Sequence, residues 1–121
     1  MDEQNITEYF LGVLGQIKLF HWSTMSYAVH KALDEFHEAL SGHVDHFVEV
    51  YIGKFDKQPL KVFKIKMEAT SDSKKVLKFL EEEREVIRKM HGQLNKCSEL
   101  QNILDEMMAE FDKTIYLCNL S

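Results

Sequence analysis

Only one proline, five glycines and two cysteines occur among the 121 residues. So few chain breakers exclude a β-rich, loop-rich or disordered chain. Cys97 and Cys118 are too few and too far apart for a disulfide framework or a zinc knuckle. They are expected to be reduced thiols of a cytoplasmic protein. No apolar run approaches the roughly 18 residues that a membrane span needs, so no membrane partner is expected. The first residues, Met1-Asp2-Glu3-Gln4, are acidic and polar, unlike a secretory signal. A formal charge of −5 gives no general affinity for nucleic acid. Glu-x-x-His, the motif with which paired helices build a di-iron centre inside one bundle, is missing from the sequence. So are a nucleophile triad, a phosphate loop and a dinucleotide fingerprint.

Hydrophobic residues make up 45% of the chain, enough for a core, and the length fits one domain over residues 1–121. Ile6, Tyr9, Phe10, Val13, Leu14, Ile17 and Phe20 recur at helical spacing, with Asn5 or Thr7 as the cap. Gly12 and Gly15 within that helix make sense if another backbone packs closely there. Ser23 to Ser26 forms a polar break that caps a second helix, running from about Ser26 to Ile52. Its apolar stripe is Val29, Leu33, Phe36, Leu40, Val44, Phe47 and Tyr51. Gly53 is a plausible C-cap, and Pro59 bars helix through the connection that follows. Leu60 to Met67, alternating with Lys61, Lys64 and Lys66, is either a short helix or an extended piece. Ser71-Asp72-Ser73 caps a third helix, and Ser98 with Gln101 has capping-box spacing for a fourth. The pattern predicts an all-α, up-down four-helix bundle with one longer connection between the second and third helices.

Beside the apolar stripe of the second helix runs a stripe of another kind. Taking His30 as zero and about 100° per residue, Asp34 falls near 40°, Asp45 near 60° and Glu49 near 100°. Imidazole with carboxylate is a ligand mix suited to iron or zinc. One ion cannot use the whole stripe, because Asp34 and Asp45 are about 16 Å apart along the axis and His30 and Glu49 nearly 30 Å. Two copies packed antiparallel about a two-fold axis remove the difficulty: the His30/Asp34 end of one faces the Asp45/Glu49 end of the other. Ser41 and Gly42, near the midpoint, would let the backbones approach. His21 can add a ligand from the preceding helix. His37 shares the face as a further ligand or a support for one, although an interface histidine is the plainer reading. His43 and His46 point away, and His91 stands alone.

The stretch His21-Trp22, Ala28-Val29-His30, Leu33-Asp34, Phe36, Ala39-Leu40, His43-Val44-Asp45 and Glu49 resembles the Dps family of ferritin-like mini-ferritins. That family shows histidine-tryptophan, then H-x3-D, then D-x3-E eleven residues after the first acid. Here these are His30 to Asp34 and Asp45 to Glu49, with the offset intact. Phe111 to Leu117 also resembles the family's last helix. The His21-to-His30 gap of nine residues is three shorter than the family's, and the link between the second and third helices is short as well.

The resemblance implies a ferritin-like bundle that assembles into a hollow dodecamer. It implies a ferroxidase that oxidises ferrous iron, usually with hydrogen peroxide, and stores ferric mineral. His21, His30 and Asp34 of one subunit and Asp45 and Glu49 of its mate would form the iron site. Trp22 beside it would be an oxidisable ring or a packing residue at the corner. The family's acidic iron-entry pores would draw on Glu99, Asp105 and Glu106. DNA binding through a lysine-rich tail is not expected, since Asp2-Glu3 opens the chain. The competing expectation is a non-enzymatic assembly protein of the same shape, with a degraded or zinc-binding site.

Overall fold

The computed structural model describes residues 3–55 and 60–120. Its elements are α1 (Glu3–Ser23), α2 (Tyr27–Lys54), α3 (Ser73–Gln93) and α4 (Ser98–Asn119), with no strand among the described residues. The all-α four-helix bundle is therefore what forms. Each apolar period points inward. Val29, Leu33, Phe36, Leu40, Val44, Phe47 and Tyr51 are all buried on α2, joined by Ala32. Val76, Leu80, Ile87 and Met90 fill the core from α3 and Leu100, Ile103, Leu104, Met107 and Phe111 from α4. Phe36 meets Phe111 edge-to-face at 4.8 Å, a pairing worth about 0.5–1.5 kcal/mol beyond the area it buries.

Contacts between named residues give the arrangement. Phe10 packs on Phe47, and His21 on His30, between α1 and α2. Lys54 reaches Glu99, and Phe36 reaches Phe111, between α2 and α4. Arg84 bonds Asp112, and His91 bonds Asp105, between α3 and α4. Tyr9 bonds Glu83, and Phe20 packs on Phe79, between α1 and α3. In every pair one number rises as the other falls, so neighbouring helices are antiparallel in the order α1–α2–α4–α3. It follows that α2 and α3 lie on a diagonal and run the same way. The longer connection is a crossover that returns the chain along the bundle.

That crossover is extended rather than helical: residues 60–72 have no regular secondary structure. It runs alongside α1 in the same direction. Ile65 lies beside Gly12, and a Cβ on Gly15 would come within 2.8 Å of Met67 Sδ. The two glycines thus make room for side chains of the strap rather than for another helix backbone. Gln16 Nε2 donates to the Glu68 carbonyl at 2.6 Å, and its Oε1 accepts from the Glu68 N–H at 3.0 Å. Thr70 N–H donates to Ser23 Oγ at 3.3 Å.

Two of the expected caps form. Ser26 Oγ accepts from Val29 N–H and Asp72 Oδ1 from Lys74 N–H. Three do not. The Asn5 or Thr7 cap fails because α1 already runs from Glu3. Gly53 is inside α2, which Phe55 closes by donating its N–H to the Tyr51 carbonyl. Ser98 is the first residue of α4 rather than its cap; Cys97 holds the cap position without a side-chain bond, and Gln101 donates instead to the His91 carbonyl at 3.0 Å. Pro59 lies outside the described residues.

The Tyr9–Glu83 bond, 2.9 Å between α1 and α3, has a pH signature. Burial pushes the Glu83 carboxyl above its ordinary range, against the pull of the Tyr9 hydrogen bond, and nearby Glu82 adds to the rise. The folded chain therefore holds this proton more tightly than the unfolded chain does. That contribution is complete below the ordinary carboxylate range and is lost as pH rises through the raised folded value. Glu83→Gln keeps an acceptor for Tyr9 and removes the charge. It is expected to raise Tm at pH 7 by roughly 2–4 °C and to lose that advantage in acid. Calorimetry across pH checks this; an equal or lower Tm at pH 7 refutes it.

Candidate metal site

Three residues, 24–26, separate α1 from α2, so the last turn of one helix lies directly against the first turn of the other. Two histidines hold this corner reciprocally. His21 Nδ1 donates to the His30 carbonyl at 2.7 Å, and His30 Nδ1 donates to the His21 carbonyl at 2.8 Å. The rings stack with centroids 3.9 Å apart and planes within 16°. A carbonyl can only accept, so both Nδ1 atoms carry hydrogen. In the neutral rings each Nε2 then keeps its lone pair, the tautomer that a metal-binding imidazole needs. The helix corner thereby sets the chemistry of both rings. The nine-residue spacing from His21 to His30 is what allows the clasp.

One turn along α2, Asp34 brings a carboxylate to the same place. Its Oδ1 is 3.8 Å from His21 Nε2. Two ligands sharing an ion with bonds of about 2.0–2.2 Å lie at a comparable separation. The Asp34 side chain is open to solvent, whereas His21 is buried. Lys18, one turn before His21 and Trp22 on α1, places its Nζ 3.9 Å from the same Asp34 oxygen and 5.9 Å from the centre of the Trp22 ring. Trp22 is 70% exposed, so it covers the outside of the corner rather than filling it. Tyr27 stacks beyond His30 at 6.1 Å.

The structure thus stacks His21 on His30 and sets His21 beside Asp34, with Trp22 on the outside of the same corner. It leaves Asp45 and Glu49 apart: both are exposed further down α2, three and four turns away. No group of three His, Cys, Asp or Glu among the described residues stands close enough to hold a metal. Gly42, midway between the two halves, is exposed, and a Cβ there would meet nothing within 4 Å. His37 is half-buried below Asp34. Burial lowers its pKa, Lys18 lowers it further, and Asp34 opposes them, so its neutral form is favoured.

Lys18 is the residue that the sequence pattern did not single out. Its signal was available in the spacing, three residues before His21 and four before Trp22, which puts all three on one helical face. The acids considered for an entry pore each face a base of their own chain: Glu99 with Lys54 at 3.3 Å, Asp105 with His91 at 3.1 Å and Glu106 with His43 at 3.3 Å. His91 is therefore not isolated. Neither cysteine is in a disulfide, and burial pushes the Cys118 thiol up to about 11. No helix among the described residues is long and apolar enough to cross a membrane.

The reciprocal clasp makes a quantitative claim. His21→Ala or His30→Ala each removes one ring hydrogen bond and the stack, a loss of about 1–2 kcal/mol. Because either change dissolves the same stack, the double variant is expected to lose less than the sum, with a coupling of about 0.5–1.5 kcal/mol in urea denaturation. Strictly additive losses would show that the rings act independently.

Comparison with curated proteins and with solved structures returns no match. A family pattern does match, over residues 21–118, a span that starts at His21 and holds all six candidate residues. The chain belongs to DUF5856, a family of unknown function.

Proposed function

We propose that the chain is a Dps-type mini-ferritin: a ferroxidase that oxidises ferrous iron at sites shared by two protomers and stores the ferric product in a dodecameric shell. The observation that carries this reading is the His21–His30 clasp beside Asp34. It sets one imidazole Nε2, that of His21, beside one carboxylate, with the His30 ring stacked on His21. Asp45 and Glu49 would complete the site from a partner related by a two-fold axis, as the 16 Å or so between the halves requires. A bundle with a single long crossover is a topology that ferritin-like proteins use, which supports the family. Trp22, Met25 and Tyr27, at or next to the α1–α2 corner, are exposed apolar side chains, which favours burial against another copy.

In this reading the carboxylates hold the ferrous substrate and neutralise the charge that grows as it becomes ferric. The imidazoles, as neutral nitrogen donors, leave it oxidisable. Two ferrous ions give one electron each to one hydrogen peroxide, which takes up two protons and leaves as two waters, so no hydroxyl radical is released. A second reading, a helical assembly protein whose site binds zinc or no metal, is favoured by the lack of any converged three-ligand group among the described residues.

Complementation separates the two. Asp34→Ala protein lacks the first half-site, and Asp45→Ala/Glu49→Ala protein lacks the second. Loaded with ferrous iron without oxygen and then given peroxide, each alone is expected to show little of the fast ultraviolet rise of ferric species. Mixed and reassembled, they form hetero-pairs with one intact site, and the rise returns. Wild-type speed in the Asp45/Glu49 variant alone would sink the assignment. Light scattering on the wild type is expected to give a mass near twelve subunits, and a stable monomer would count against the shell.

A further inference from the structure

Of the four seams between neighbouring helices, the one between α1 and α3 is the least closely packed among the described residues. The two helices meet through the Tyr9–Glu83 bond and the Phe20–Phe79 pair, and beside that pair a cleft of about 490 Å³ stays open. We propose that this cleft binds an organic monoanion with a flat aromatic body, an arenecarboxylate, independently of any metal at the α1–α2 corner. Its volume lies in the range of small-molecule sites, roughly 300–1,000 Å³. The apolar lining is Phe20, buried, and Phe79, half-buried, set edge to face with ring centres 5.3 Å apart. Lys66 of the strap and Lys75 and Lys78 of α3 stand around these rings. The strap wall is already in place: Gln16 bonds both the carbonyl and the N–H of Glu68, and Thr70 N–H bonds Ser23 Oγ.

The charge of the lining selects the head group. Lys78 pairs with Glu82 at 3.8 Å, whereas Lys66 and Lys75 have no acid within ion-pair distance among the described residues. Glu68 and Glu82 are the two carboxylates of the cleft, against three ammonium groups, which leaves one positive charge. A single carboxylate on the ligand balances it and accepts from the lysines, which can only donate. A second negative charge would face Glu68 and Glu82 with no cation left over. The two phenyl rings select the body. A third ring laid against Phe79 extends the edge-to-face pair, a contact that an aliphatic chain of the same area does not make.

The test uses anilinonaphthalene sulfonate, an aromatic monoanion that fluoresces on leaving water, with naphthoate as its competitor, on the full chain without metal. Dye emission is expected to rise on the wild type and naphthoate to displace the dye. Naphthylmethanol, the neutral counterpart, should displace it about tenfold less well, and Lys66→Gln/Lys75→Gln should weaken naphthoate binding about tenfold. Both of these lysines are exposed, so the fold does not depend on them. Lys64→Gln removes a strap lysine outside the cleft and should change nothing. Ala69→Trp, at an exposed position of the lining, fills the cleft and should abolish binding while the far-ultraviolet circular dichroism stays that of the wild type. No binding by the wild type, displacement by the alcohol as good as by the acid, or full binding in Lys66→Gln/Lys75→Gln or in folded Ala69→Trp protein overturns the proposal.

Discussion

Two helices joined by three residues must fold back at once, and the corner where they do so has to satisfy the last carbonyls of one helix and the first turn of the next. In this chain a pair of imidazoles takes part of that work. The His30 ring satisfies one of the last carbonyls of α1, that of His21, while the His21 ring donates to the His30 carbonyl in the first turn of α2. The local requirement of a tight corner and the chemical requirement of a defined tautomer are met by the same two hydrogen bonds. A longer turn would relax the first requirement and release the second. The nine-residue spacing between His21 and His30 thus goes with a tight corner in which the two rings clasp each other.

The crossover is the second constraint. Because α2 and α3 are parallel on a diagonal, the chain must travel the length of the bundle between them, and it does so against α1. Gly12 and Gly15 keep that side of α1 low enough for Ile65 and Met67 to lie against it. The Gln16 amide pairs with the Glu68 peptide as a strand neighbour would. The strap lies along α1, and Asp34, Asp45 and Glu49 of α2 stay exposed.

What could be read in advance follows from the range of the forces involved. The helical periods were legible because burial repeats every three to four residues, and every position of the apolar stripe on α2 is buried. Ser26 and Asp72 were legible as caps because a cap is a bond between near neighbours. Ser98 with Gln101 had the same spacing and failed, because Gln101 found a carbonyl ten residues upstream on α3. The path of the strap was beyond local pattern: Gln16 and Glu68 are 52 residues apart. In the site, the ligand face of α2 could be read from helical angle alone. The tautomers and the lysine could not, since both depend on how α1 lies against α2.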